Sequence, residues 1–365
     1  MSIVRRTAFD FSRRSALKAG ALAVALALGA TLGIVVSQAE VSILETGSSL
    51  VYPLFNLWVP VYQKIDPNAK ITTQSTGSGT GISQATEGLA QIGASDAYMA
   101  DALMRQHSDM LNIPLCISSQ MVNYNIPGLN DKHVKLSGPV LAEIYQGKIS
   151  KWNDSQIASL NPGVKLPDHT IIPIHRSDGS GDTFIFTQFL AFSTPDWANS
   201  LSYGTTISWP AVSGELGAVG NPGMVTALQD NPYSIAYIGT SYKDGIEKNG
   251  LGIAMLKNRD GKFVLADPKT VSAAANVMVS KTPKDERVSL IFAPGPESYP
   301  IINYEYALVK KDQPSAETAA ALRKFFTWAI SPKGGNSPRF MTEAHFAPLP
   351  SSVVKLSAAQ IAQIQ

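Results

Sequence analysis

The chain has 365 residues, a formal net charge of +2 and a hydrophobic content of 44%, which is ordinary for a globular protein. Its first 39 residues carry five Lys or Arg and one Asp, a net charge of +4, which leaves about −2 on the remaining 326 residues. This balance argues against nucleic acid as a partner, because nucleic-acid binding requires a basic face. The single cysteine, Cys116, excludes an intramolecular disulfide and argues against a redox or structural-zinc role.

The N-terminal segment has the order of a secretory signal peptide. Basic residues from Arg5 to Lys18 precede an uncharged run, 19–36, and small residues follow as far as Ala39. We therefore predict export to the periplasm or beyond, with residues 1–39 as a signal cleaved after Ala39. The segment 12–18 resembles a twin-arginine signal, whose pathway exports proteins that are already folded. The alternative is an uncleaved membrane anchor, since 18 uncharged residues can just span a bilayer.

Three segments of the remaining chain share one design, in which a short apolar strand leads through a Ser/Thr/Gly-rich turn into a helix-like pattern. The predicted turns are 45–49, 74–81 and 176–182, and the predicted strands before them are 41–44, 69–73 and 170–175. Pro60 falls inside the helical pattern that follows the first turn and predicts a kink or an end there.

A turn of this kind can bind an anion. The first N–H groups of a helix have no partner within it, and the helix dipole favours negative charge at that end. Glycines let the backbone approach a ligand closely, and serine hydroxyls add uncharged donors. The alternative is that these residues are simple helix caps. Three such turns in one chain, one of them bearing Arg176, favour an anion site, although their spacing does not name the anion.

The turns resemble the ligand loops of the PstS family, the phosphate receptors of high-affinity phosphate importers. The motifs that carry this resemblance are 46–49, 76–79, 93–97, 120–128, 145–149, 176–181, 236–239 and 299–306. The resemblance is strongest to the mycobacterial-type branch and covers essentially the whole chain after the signal. As a set these motifs are specific, whereas any one of them alone would not be.

The resemblance implies an α/β protein with the type II periplasmic-binding-protein fold, in which two α/β lobes are joined by two crossing strands and the ligand lies in the cleft. We place lobe one at residues 40–124 and 303–365 and lobe two at residues 125–302. The first two turns and Asp96 then fall in lobe one, and Arg176 falls in lobe two. A cleft that closes on the anion follows from that division.

The resemblance also implies the residues of the site. The phosphate-binding residues would be Ser49, Leu50, Ser78, Asp96, Arg176, Ser180, Gly181 and Asp182, and the supporting residues would be Gly77, Asp178 and Gly179. Ser49 and Ser78 would donate from their hydroxyl groups and Leu50 from its backbone N–H. Arg176 would make a charge-assisted contact and Asp178 would hold it in place. The third helix start would add further donors.

Asp96 would accept a hydrogen bond from the ligand instead of donating one. An ionised carboxylate is an acceptor only, so it is favourable beside an anion only if that anion carries a proton. Phosphate near neutral pH carries a proton and sulfate does not, so Asp96 would reject sulfate. The alternative is that Asp96 is a turn or cap residue before a helix that starts near Met99.

The chain departs from the family pattern directly after Gly181. Many family members have Thr at the next position, whereas this chain has Asp182 followed by Thr183. Asp182 could cap the helix that follows. It could instead be a second proton acceptor, in which case the site would prefer the monobasic anion.

An enzyme is the main alternative class. A secreted phosphatase could use Ser180 or Ser78 as nucleophile with His175 or Asp96 as base. Against this, Ser180 lacks the outer glycine spacing of the nucleophile elbow, and the five histidines have no metal-ligand spacing. We therefore expect no catalysis, no metal and no other cofactor.

Two further alternatives keep the same fold. One is a receptor for another oxyanion such as sulfate, molybdate or a phosphonate, and the other is a scavenger without a transport role. For the phosphate receptor, the expected partners are inorganic phosphate and the membrane permease of an ABC importer. We expect the protein itself to be a monomer.

Overall fold

The computed structural model describes residues 40–365, so the signal-peptide and twin-arginine predictions lie outside the described residues. The strands are β1 (Val41–Gly47), β2 (Ala69–Ser75), β3 (Ile92–Ser95), β4 (Met110–Tyr124), β5 (Lys135–Leu136), β6 (Ile172–Arg176), β7 (Leu216–Ala218), β8 (Ser234–Gly239), β9 (Gly252–Ile253), β10 (Met255–Lys257), β11 (Phe263–Val264) and β12 (Ile302–Lys310).

The helices alternate with these strands along most of the chain. They are α1 (Tyr52–Ile65), α2 (Ser78–Glu87), α3 (Asp101–Gln106), α4 (Gly138–Tyr145), α5 (Ser155–Leu160), α6 (Gly181–Ser193), α7 (Pro195–Ser200), α8 (Gly220–Asp230), α9 (Lys243–Lys248), α10 (Pro268–Met278), α11 (Ala316–Ala329), α12 (Pro338–Glu343) and α13 (Ser351–Ile361). Within residues 40–365, no helix is long and apolar enough to cross a membrane.

One mixed sheet organises the molecule. Its strand order is β2-β1-β3-β12-β4-β8-β6-β7, and β9 pairs with β4 beside this path. Strand β1 is parallel to β2 and β3, and β6 is parallel to β7 and β8, whereas β12 and β4 are antiparallel to each other. A small second sheet contains β11, β10 and β5. The α/β class predicted from the sequence is confirmed.

Strand β4 lies in the middle of this sheet and joins its two parts. Its residues 110–119 pair with β12, and its residues 120–124 pair with β8. We call β2, β1, β3 and β12 the first half of the sheet and β8, β6 and β7 the second half. The lobe boundaries given above remain a prediction.

Helices cover each half with apolar side chains. Helices α2 and α11 pack against the first half, and α6 and α8 pack against the second. Trp58 of α1 meets Phe325 of α11 edge to face, with ring centroids 6.4 Å apart. In the second half, Phe186 of α6 stacks on Tyr237 of β8 at 4.4 Å. Burial of each such side chain stabilises the fold by about 1.5–3 kcal/mol.

The three turns of the predicted site are shorter than the sequence predicted. The strands extend further and two helices begin earlier, because β1 ends at Gly47, β2 at Ser75 and β6 at Arg176, while α2 begins at Ser78 and α6 at Gly181. Gly81 therefore lies inside α2, where its role is close packing: a Cβ there would lie 2.6 Å from the carbonyl oxygen of Ala94. This glycine allows the helix to approach the sheet, and it is not part of a flexible turn.

Helix α1 does not end at Pro60 but continues to Ile65. Pro60 lacks an N–H group and cannot bond to the carbonyl of Asn56. Both residues are exposed, so water can satisfy that carbonyl.

Candidate functional site

The three predicted turns meet where the two halves of the sheet adjoin. Ser49 follows β1, Asp96 follows β3 and Arg176 ends β6, all at the carboxyl ends of parallel strands. That edge is where α/β sheets commonly bind ligands. The structure buries every predicted phosphate-binding residue: Ser49, Leu50, Ser78, Asp96, Arg176, Ser180, Gly181 and Asp182.

Arg176 is the buried cation of this site. Its Nε and Nη2 donate to the two oxygens of Asp178 at 2.7 and 2.5 Å, and its Nη1 donates to Asp182 Oδ2 at 2.8 Å. Nη1 also lies 3.3 Å from Ser49 Oγ. Burial alone would lower the pKa of Arg176, but its bonds to Asp178 and the charge of Asp182 hold that pKa above its usual value. The guanidinium is therefore charged, and its two bonds to Asp178 fix its orientation.

Asp182 does not cap α6. The N-cap is Ser180, whose Oγ accepts from the N–H of Thr183 at 3.2 Å. The cap interpretation of Asp182 is therefore wrong, because the helix begins two residues earlier than expected. The carboxylate instead accepts from Asn221 Nδ2 at 2.7 Å and from Gln120 Nε2 at 3.0 Å, besides Arg176. Burial and the charge of Asp96 raise the pKa of Asp182 to about 7.

Asp96 lies in a pocket of serine hydroxyl groups. Ser48 Oγ donates to its Oδ1, and Ser78 Oγ lies 3.4 Å from its Oδ2. Burial raises the pKa of Asp96, although these hydroxyl groups and Arg176 oppose the shift. The next helix, α3, begins at Asp101 and not near Met99.

The N–H of Met99 donates instead to the side chain of Asn112 at 2.8 Å, which keeps this segment out of the helix. Asp96 is thus separated from α3 by several residues, and a helix-capping role for it is excluded by geometry.

Gly181 brings the third turn directly over Asp96. A Cβ on Gly181 would lie 2.4 Å from Asp96 Oδ2 and 2.5 Å from Ser78 Oγ. Residues from both halves of the sheet therefore share one small space, and only a glycine leaves room at this point. Gly77 is similar, since a Cβ there would lie 2.5 Å from Asp178 Oδ2 and its φ is +88°.

Several contacts hold the two halves together around the site. Gly79 donates its N–H to Gly179 O at 2.8 Å. Tyr242 Oη donates to Ser49 O at 2.9 Å, and Ser241 Oγ donates to Leu50 O at 2.7 Å. The described chain is therefore in a closed arrangement. The N–H of Leu50 is also engaged, with Ser48 Oγ at 3.1 Å.

Four side chains of the site were not predicted from the sequence. Ser48 and Glu305 contact or adjoin Asp96, and Gln120 and Asn221 bind Asp182. Ser48, Gln120 and Glu305 lie within motifs that carry the family resemblance, and Glu305 is also a lone acid within an apolar strand. Asn221 offered no signal, because it follows a glycine turn like many others.

The donor set is suited to an anion and not to a metal. Among residues 40–365, no three His, Cys, Asp or Glu side chains are grouped in a way that could hold a metal ion. The cationic guanidinium, the serine hydroxyl groups and the start of α6 offer donors, which an oxyanion needs and a cation does not.

Comparison with known proteins agrees with this geometry. A family model described as a PBP superfamily domain matches residues 35–333. The phosphate-binding protein PstS of Methanocaldococcus jannaschii is 34% identical over 329 residues, covering 85% of this chain and 83% of that protein. The PstS of Haemophilus influenzae is 35% identical, covering 90% and 95%. This is the fold of a ligand-binding receptor with an anion site between the halves of its sheet. The chain belongs to the PstS family of phosphate-binding proteins.

Two further comparisons refine the prediction. A solved phosphate-binding protein from Stenotrophomonas maltophilia superposes with a TM-score of 0.69 at 18% identity, covering 87% of this chain and 93% of that one, so the fold class is confirmed. A Mycobacterium leprae relative, named phosphate-binding protein PstS 3, is 28% identical over 315 residues, covering 84% of this chain and 82% of that protein. That identity is lower than those given above, so the resemblance is to the family and not to its mycobacterial branch in particular.

Proposed function

We propose that the protein binds inorganic phosphate outside the cytoplasm and delivers it to the permease of an ABC-type importer. Family membership supports this proposal. The observation that carries it is the pairing of a buried cation, Arg176, with a buried acceptor, Asp96, in one site. A cation attracts any oxyanion, whereas an adjacent carboxylate accepts only one that can donate a proton.

The donors around this pair are suited to phosphate oxygens. Ser49 Oγ accepts from the backbone N–H and the side-chain amide of Asn221, each at 3.0 Å, so its own proton can go to the ligand. Ser180 Oγ also accepts, from Thr183, and can donate its proton in the same way. The first N–H groups of the 13-residue helix α6 add donors and a favourable dipole.

Asp96 is proposed to select against sulfate. Sulfate at neutral pH carries no proton, so Asp96 would face it as an unpaired buried charge. Such a misfit costs more than the roughly 1–3 kcal/mol of a neutral unsatisfied group. This separates the proposed function from that of a sulfate or molybdate receptor on the same fold.

We also propose that the protein binds phosphate without hydrolysing a phosphate ester. His175 Nδ1 lies 3.1 Å from the backbone oxygen of Arg176, and the His175 ring stacks on Trp209 with centroids 4.9 Å apart. These two contacts hold the imidazole, and no hydrogen bond joins it to Ser180 in the described residues. A chromogenic phosphate ester incubated with the purified protein tests this point, and turnover above a buffer control would contradict it.

Export before delivery is part of the proposal. The first 39 residues have the pattern of a signal peptide, and N-terminal sequencing of protein recovered from culture fluid or periplasm would test cleavage after Ala39. The permease partner is inferred from the family, and we propose that the receptor acts as a monomer.

Calorimetric titration of residues 40–365 with phosphate, arsenate and sulfate tests the proposed function. We expect phosphate and arsenate to bind with comparable heats, because both carry a proton near neutral pH, and sulfate to give none. Comparable binding of sulfate at pH 7 would contradict the role of Asp96. Binding of none of the three would contradict the proposed function itself.

A further inference from the structure

Glu305 is a buried acid directly behind the site. It lies on β12, is 0% exposed, and pairs with Cys116 of β4. Ser118 Oγ lies 2.5 Å from its Oε1 and 2.8 Å from Asn303 Oδ1, and Asn303 Nδ2 donates to Oε1 at 3.2 Å. Its other oxygen, Oε2, is buried and receives a hydrogen bond from no donor in the described residues. An ionised carboxylate with an unsatisfied buried oxygen is costly, so this atom requires an explanation.

The neighbour of that oxygen is Asp96. Strand β12 is antiparallel to β3, and the last pair between them is Tyr306 with Ser95, so Glu305 and Asp96 are the next positions along the two strands. Side chains at opposite positions of an antiparallel pair lie on the same face with Cβ atoms about 4.5–5.5 Å apart, which brings the two carboxyl groups close to each other. Asn303 contacts both residues, because its Nδ2 donates to the backbone oxygen of Asp96 at 3.1 Å and to Oε1 of Glu305. Two ionised carboxylates are both acceptors and cannot bond to each other.

We propose that Asp96 and Glu305 hold one proton between them, and that Glu305 is the positioning residue which donates it to Asp96. The inference rests on the proposed function, since Asp96 is there the acceptor for the proton of phosphate. In this arrangement the amide of Asn303 fixes Oε1 of Glu305 as an acceptor oxygen, which leaves Oε2 to carry the shared proton. Asp96 then remains an ionised acceptor, while the pair as a whole has a single negative charge.

The charged groups around the pair favour this one-proton state. Among residues 40–365, Arg176 is the one cation that acts on the pair, and its charge is already opposed by Asp178 and Asp182. The remaining titratable neighbours are Cys116 of β4, whose thiol pKa is raised by burial and by Glu305, and Tyr242, whose phenol pKa is raised by burial and by the acids of the site. None of these supplies a second positive charge.

The sign of the pH dependence follows from the charge of the pair. Burial and the charge of Asp96 raise the pKa of Glu305, so Glu305 keeps its proton well above the usual range of a glutamate. When the pH rises through that raised pKa, the pair changes from one negative charge to two. The second charge repels the anion, so phosphate affinity falls in the alkaline range. When two carboxylates share a site, the pKa of one of them is strongly raised. The loss of phosphate affinity therefore occurs at a higher pH than the titration of ordinary carboxyl groups, and the two effects can be separated.

Replacement of Glu305 by glutamine tests the shared proton. In Glu305→Gln the amide oxygen keeps the bond from Asn303, and the amide nitrogen donates permanently to Asp96 in place of the proton. The variant therefore imitates the one-proton state without being able to lose it. Glu45→Gln is the matched control, because Glu45 on β1 is also 0% exposed and its carboxyl oxygens also find no donor among residues 40–365.

The measurement is the dissociation constant for inorganic phosphate from pH 6 to pH 9.5 in each protein. At each pH the dissociation constant of the variant is divided by that of wild type, because the ionisation of phosphate affects both equally and cancels. We expect Glu305→Gln to match wild type within about threefold at pH 6 and to bind progressively more tightly than wild type as the pH rises through the raised pKa of Glu305. Glu45→Gln should keep a constant ratio. A constant ratio for Glu305→Gln, with normal binding by wild type, would overturn the inference and leave the proposed function intact.

A second measurement needs no variant. Calorimetry of wild type with phosphate in the alkaline range, in two buffers of different ionisation enthalpy at each pH, should show proton uptake on binding that develops as the pH passes the raised pKa of Glu305, because the doubly charged pair regains its proton when the anion enters. No uptake would contradict the inference even if Glu305→Gln does not fold. Failure of wild type to bind phosphate at any pH would instead overturn the proposed function, and this inference with it.

Discussion

Gly79 donates its backbone N–H to the carbonyl oxygen of Gly179 over 2.8 Å. Gly79 lies in the first turn of α2, beside the first half of the sheet, and Gly179 lies in the turn between β6 and α6. A Cβ on Gly79 would lie 3.0 Å from Gly179 Cα, and one on Gly179 would lie 3.2 Å from Gly79 Cα. The closed arrangement thus depends on the close backbone approach of two glycines, at which neither residue has a side chain.

We expect Gly179→Ala to weaken phosphate binding by about 1–3 kcal/mol, the usual cost of overpacking, because the added methyl group forces the two turns apart. Gly245→Ala is the control: nothing lies within 4 Å of a Cβ at that helical position, and alanine there should stabilise the protein by about 0.5–1 kcal/mol. Titration and thermal unfolding of both variants provide the check. Equal affinity in the two variants would contradict a role for the glycine contact in closure.

Asp96→Asn should relax the discrimination between phosphate and sulfate. An amide can donate to a bare sulfate oxygen, whereas the carboxylate cannot. We expect measurable sulfate binding in the variant and weaker phosphate binding, because the ligand's proton loses its charged acceptor. The check is a sulfate titration of wild type and variant at pH 7. Continued rejection of sulfate by the variant would show that selectivity resides elsewhere.

Arg176→Ala should lose far more phosphate affinity than Arg105→Ala. Arg105 is exposed, whereas Arg176 is buried between two carboxylates. A hydrogen bond to a charged group contributes about 1.5–3 kcal/mol, and removal of one partner from a buried ion pair also costs about 3–5 kcal/mol of stability. Titration at a temperature where both variants are folded separates the two effects. Wild-type affinity in both variants would mean that the site is elsewhere.

Asp182 should make binding depend on pH near neutrality. Its pKa is raised to about 7, so its carboxyl is protonated below that pH and adds a negative charge beside the anion above it. Phosphate affinity of wild type should therefore fall between pH 5.5 and pH 8.5. The fall should be about tenfold smaller in Asp182→Asn, since a nearby like charge shifts such equilibria by one unit or more. A flat profile in wild type would contradict any effect of Asp182 on the ligand.

The part of the site that depends on local sequence could be predicted. Arg176 and Asp178 are two positions apart, and the strand–turn–helix pattern indicates where backbone N–H groups are free. The partners of Asp182 could not be predicted in this way, because Gln120 and Asn221 lie 62 and 39 residues away from it. Their contact depends on how β4 and α8 are placed beside α6, which is decided by packing.

The ends of the elements show the same limit. Serine and glycine were interpreted as turn residues on propensity, yet Ser78 and Gly81 lie within α2. Tertiary packing against Ala94 decides the role of Gly81, and local preference does not. Glu305 is a comparable case, since an acid in an apolar strand has meaning only once its cross-strand neighbour is known.

The 15 residues of β4 are buried along their entire length and form hydrogen bonds with β12 at one end and β8 at the other. If β4 separated from either half, a row of backbone N–H and C=O groups in that half and in β4 itself would be left unpaired. Opening of the site must therefore be a twist within a strand that remains paired. On heating, the two halves should melt together in a single calorimetric transition, although the chain is long enough for two independent cores.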